Sequence, residues 1–149
     1  VIDSVPRRRH CDLRALRRQG KPEIRKAATM NQFDELVVRY LETWNESDAD
    51  KRRELIERHW SPDARYVDPL GEAVGPHAID TMIAAVQDQF PGMRFSLAGP
   101  VDSHHRQARF GWNLGMPGSD PVIVGFDVAE HDAQGRLTSV LGFLDKVPS

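Results

Sequence analysis

The sequence predicts a single α+β domain in which helices come first and strands follow. Three observations carry that reading. Apolar residues recur at helical spacing between Asn31 and Phe90, and four strand-like runs occupy Met93 to Lys146. The chain has 149 residues, 40% of them hydrophobic, which supports one core and is short for two ordinary domains.

Each element has its own signal. Phe33, Leu36, Val37, Tyr40, Leu41 and Trp44 share one face of a first helix. Asn31 stands at its cap, Asp34 and Glu35 suit its N-terminal dipole, and Asn45-Glu46-Ser47 ends it. Asp48 caps a second helix with a face of Leu55, Ile56, His59 and Trp60, stopped by Ser61-Pro62. A short strand over Ala64–Asp68 follows. Gly75-Pro76 opens a third helix carrying Ile79, Met82, Ile83, Val86 and Phe90, and Pro91-Gly92 closes it. The remaining strands are expected over Met93–Ser103, Arg106–Gly115, Val122–His131 and Arg136–Lys146, in an antiparallel sheet. Ala108, Phe110, Trp112 and Leu114 alternate with polar residues and glycine, so that strand buries one face. Val122–Ala129 is apolar on both faces and belongs at the centre of the sheet.

Charge divides the chain. Residues 1–29 carry nine Lys/Arg against three acids, a net of +6; the other eleven basic and nineteen acidic residues give 30–149 a net of −8. The head has few large apolar residues and is interrupted by Pro6 and Pro22, so it is expected to be disordered. A basic tail, a transit peptide, and a start assigned upstream of a true beginning at Met30 all account for it; the helix signal directly after Met30 favours the last. The domain over 30–149 is too acidic for nucleic acid, and no apolar run is long enough for a membrane span. The single cysteine, Cys11, provides no disulfide framework, and a cytoplasmic protein is expected.

The candidate chemistry is acid/base. Asp127 sits amid apolar neighbours, where burial penalises a charged carboxyl; it is either a neutral hydrogen-bond donor or a structural aspartate paired with a backbone amide or with Arg109. Asp68 precedes Pro69 at a strand end, a rim position suited to a base and equally to a turn. Tyr40 is on the buried helix face and needs a partner for its hydroxyl. The six histidines include no pair at metal-binding spacing, and no phosphate loop or nucleophile elbow is present, so neither metal nor cofactor is expected.

Tyr40, Asp68 and Asp127 in this order, the Val67-Asp68-Pro69-Leu70-Gly71 turn, Arg39-Tyr40-Leu41 with Trp44-Asn45, and Phe126-Asp127 followed by Gly135-Arg136 resemble the nuclear transport factor 2-like superfamily, in its SnoaL-like and ketosteroid isomerase-like branch. The resemblance covers Asn31 to Val147. It implies a cone-shaped α+β barrel, three helices on a curved antiparallel sheet around a pocket, and a homodimer. It further implies that Asp68 is a general base, with Tyr40 and a protonated Asp127 forming the oxyanion hole. A supporting tyrosine found on the third helix of some isomerases is missing: that stretch reads Thr81-Met82-Ile83. Trp44, Trp60, Phe110 and Trp112 are the expected substrate-binding residues, and the two bulky indoles of Trp44 and Trp112 argue for a ligand smaller than a four-ring steroid. The expected activity is cofactor-independent proton transfer on a small hydrophobic carbonyl compound. The alternatives are a SnoaL-like polyketide cyclase and a non-catalytic binding or dimerisation module.

Overall fold

A computed structural model describes residues 32–149. The basic head expected over residues 1–29 and the Asn31 cap lie outside them. α1 (Gln32–Asn45), α2 (Ala49–His59) and α3 (Pro76–Gln89) pack against six strands: β1 (Trp60–Asp68), β2 (Gly71–Val74), β3 (Arg94–His104), β4 (Gln107–Gly115), β5 (Ile123–His131) and β6 (Leu137–Lys146). Among the described residues no helix is long and apolar enough to cross a membrane.

The helices follow their sequence signals. All six apolar residues of the α1 face are buried. Asp48 caps α2 by accepting hydrogen bonds from the backbone of Asp50 and Lys51, both at 3.0 Å. The α2 face departs from expectation: Leu55 and His59 are only half-buried, and Arg52 is buried with Ile56. Arg52 gains that position through its bonds to Asp80 (2.6 Å), the Glu46 carbonyl (3.0 Å) and Gln87 (3.1 Å), which satisfy the guanidinium away from water. Trp60 is a strand residue, because β1 begins there and runs through Ser61-Pro62. Proline is accommodated because the β1–β6 pairing skips from Trp60 to Arg65, so no ladder bond is asked of it.

The sheet order is β2-β1-β6-β5-β4-β3. β5 is central, as its double-sided apolar pattern requires. The sheet is mixed instead of wholly antiparallel: the hairpins linking β3 to β6 return β6 alongside β1 in the same direction. It also remains open, with β2 and β3 as its edges, so the expected barrel does not close. β2 is an element beyond those read from sequence. The turn after Asp68 folds the chain straight back, pairing Asp68 with Gly71 and burying Ala73.

The inner sheet face and the helices enclose one core. Asn45 joins them at the end of α1: its amide donates to the Phe95 carbonyl (2.9 Å) and accepts from the Phe95 amide (2.7 Å), standing in for a strand neighbour of β3. That contact sets the Trp44 ring 5.3 Å from Phe95.

Candidate active site

The site is assembled across three adjacent strands and one helix. Asp68 on β1 and Asp127 on β5 flank β6, where Gly142 is the register partner of Asp127. A Cβ at Gly142 would stand 2.9 Å from Asp127 Oδ1, 3.3 Å from Asp68 Cβ and 3.5 Å from the Tyr66 hydroxyl. Glycine there removes the side chain that would separate the two carboxylates. A second glycine does similar work: Gly125, opposite Trp112, leaves the space that the indole occupies, with Trp112 ring atoms as close as 2.0 Å to where its Cβ would be.

Two tyrosine–aspartate pairs result, and they use both tyrosines of the chain. Tyr40 donates to Asp127 Oδ2 at 2.6 Å, in full burial. Tyr66 donates to Asp68 Oδ2 at 2.8 Å. Asp68 Oδ1 also accepts from the backbone of Leu70 (2.8 Å) and Gly71 (3.1 Å), so the turn that follows the residue orients its carboxylate. Asp127 Oδ1 has no hydrogen-bond partner among the described residues.

Electrostatics separate the pairs. Burial pushes the Asp127 carboxyl up from its ordinary 3.8 to about 6, against the opposing effect of the Tyr40 hydroxyl and the nearby Trp112 indole. Burial first, and the neighbouring Asp127 second, hold Tyr40 well above the ordinary tyrosine value. Tyr66 is raised for the same reasons, with Asp68 adding to the effect. Both hydroxyls therefore keep their protons and act as donors at neutral pH. Arg109 does not neutralise Asp127; it bonds Asp102 at 2.9 Å, and both side chains are exposed.

Tyr40, Trp44, Asp68 and Trp112 line a cavity of about 40 Å³, together with Tyr66 and apolar residues such as Phe90, Phe95 and Leu144. Its walls are aromatic and aliphatic, with Asp68 as the charged group among them. Three expected site residues stand off its wall. Trp60 and Phe110 are core residues packed on Tyr40, at ring distances of 5.8 and 5.6 Å. Asp127 lies behind Tyr40 with no exposure at all. Each is on the inner face and touches Tyr40, which lines the cavity where they do not.

Tyr66 and Gly142 are the site residues that sequence reading missed. Tyr66 had a readable signal, since residues two apart on a strand share a face and Asp68 is at i+2. Gly142 had none, because its role comes from the pairing of β6 with strands distant in sequence. Among the described residues no group of three His, Cys, Asp or Glu is placed to hold a metal ion.

Residues 37–140 match the model of the SnoaL-like domain. The chain belongs to the SnoaL-like family. A crystal structure of a candidate isomerase of that family from Agrobacterium tumefaciens is 43% identical, with a TM-score of 0.74, covering 78% of this SnoaL-like chain and 99% of the other. A candidate SnoaL-like polyketide cyclase from Jannaschia is 17% identical with a TM-score of 0.61, over 76% of this chain and 85% of that one. A SnoaL-like protein of unknown function from Burkholderia thailandensis is 13% identical with a TM-score of 0.61, over 78% and 97%. These last two share the fold. A search of curated proteins gives no match.

Proposed function

We propose that this SnoaL-like protein is an isomerase that moves a proton within a small, flat, hydrophobic carbonyl compound, without a cofactor. The observation that carries the reading is the pair of tyrosine-bound aspartates that approach over Gly142, with Asp68 on the wall of an apolar cavity. Asp68, on the cavity wall, takes a proton from the carbon next to the carbonyl. The C–H electron pair becomes the enolate double bond, and the carbonyl π pair moves onto oxygen. Tyr40 donates to that oxygen. Asp127 acts from behind: when it carries a proton it donates to the Tyr40 oxygen and leaves the Tyr40 proton for the ligand, and when ionised it draws that proton to itself. Asp68 then returns its proton to the far carbon of the new allylic system, giving the conjugated enone and the original carboxylate. The cavity's size and aromatic walls favour a monocyclic ligand over a fused polycycle.

A polyketide cyclase would use the same base and meet the same limit of size. A binding module without chemistry is favoured by one observation, the 2.6 Å bond that commits the Tyr40 hydroxyl to Asp127. The deciding experiment follows cyclohex-3-en-1-one conversion to the conjugated enone by ultraviolet absorbance, with the full chain and its Asp68→Asn variant. Turnover that falls by at least about 10²-fold in a variant with unchanged circular dichroism supports the isomerase. An inert wild type, or an Asp68→Asn variant as active as the wild type, overturns it.

We further propose that a second copy of the chain covers the outer face of the sheet. Phe126 pairs with Phe143 and Val128 with Leu141 across the central strands β5 and β6, and Phe143 is 56% exposed.

A further inference from the structure

We propose that Tyr66 is a positioning residue that selects the single oxygen lone pair with which Asp68 takes the substrate proton. This rests on Asp68 being the base. An ionised carboxylate offers about four acceptor sites, two on each oxygen. The amides of Leu70 and Gly71 occupy both sites of Asp68 Oδ1, and the Tyr66 hydroxyl occupies one of the two on Oδ2. One site remains, on the oxygen that Tyr66 holds.

The turn amides alone would leave both Oδ2 sites open, and with them two directions of proton approach. Tyr66 closes one. It is well placed for this, because its backbone pairs with Val140 of β6 and its ring, 3% exposed, stands 5.4 Å from Trp44. The same ring forms part of the cavity wall, so the residue that fixes the direction of proton transfer also limits where a flat substrate can lie.

A base held to one lone pair carries the same proton from donor carbon to acceptor carbon. One with two open sites turns between transfers and exchanges that proton with solvent. Tyr66→Phe removes the hydroxyl and keeps the ring, so substrate binding is preserved while alignment is lost. The test measures cyclohex-3-en-1-one isomerisation by the full chain in deuterium oxide, with deuterium in the product located by NMR. In Tyr66→Phe, kcat is expected to fall about tenfold or more, KM to stay within about twofold, and the deuterium content of the product to rise. Tyr66→Met, which fills the space without a hydroxyl, replaces the phenylalanine variant if that fails to fold. An active wild type whose variant keeps both its kcat and its deuterium content overturns the role of Tyr66 alone. A wild type that does not isomerise the probe overturns the isomerase reading and this inference with it.

Discussion

Asp127 combines full burial with a carboxyl oxygen that lacks a hydrogen-bond partner among the described residues, and its titration couples to folding. Its folded pKa of about 6 lies above the ordinary 3.8, so the native state holds this proton more tightly than the unfolded chain. The contribution to stability is then complete below about pH 4 and is lost as pH rises through about 6, by up to about 3 kcal/mol at 1.36 kcal/mol per pH unit. Asp127→Asn cannot titrate. The stability of that variant relative to wild type is expected to rise by up to this amount between pH 4 and pH 7, as measured by urea unfolding at a series of pH values. A difference that stays flat across the window would remove the buried carboxyl from the account. At this scale Tyr40 and Asp127 were legible as individual residues, since an acid amid apolar neighbours and a tyrosine on a buried face each demand a partner. That they partner each other was not, because 87 positions separate them.

Between elements, the helices are held by polar locks as well as by apolar faces. Arg52 ties α2 to Asp80 and Gln87 on α3 and to the carbonyl that follows α1, while Gln87 donates to the carbonyls of Trp44 and Glu46 at 2.9 Å. Arg52→Ala would take their guanidinium partner from the Asp80 carboxylate and the Gln87 side-chain oxygen in a largely buried site, and a loss of about 3 kcal/mol is expected in denaturant unfolding. A loss below about 1 kcal/mol would mean that water replaces the lock. Sequence periodicity placed all three helices but misread one face of α2, because a buried arginine carries no apolar signal and Leu55 at the rim does. The helix does end just ahead of Ser61-Pro62, at His59, but the strand begins at Trp60 and not at the expected Ala64. In the fold the same proline falls where β1 and β6 slip register, and the strand continues through it.

For the whole molecule, the proposed pairing through the outer sheet face makes the oligomeric state a direct readout. The full chain is expected to sediment as a dimer, and Phe143→Glu, which puts charge into the exposed apolar patch, as a folded monomer; a monomeric wild type refutes the pairing. The composition and apolar spacing of this sequence by themselves determined an α+β fold, three helices with most of the strands after them, a central β5, and a buried acid and tyrosine needing partners. These are local properties, since period, capping and turn chemistry act over a few residues. Tertiary structure alone decided that β1 lies parallel to β6. That pairing sets Asp68, Gly142 and Asp127 on three neighbouring strands, and the packing of α1 on the sheet puts Trp60 and Phe110 against Tyr40 instead of on the cavity wall. Strand order and register depend on contacts between residues far apart in sequence, and no local pattern encodes which distant strand a given strand will meet.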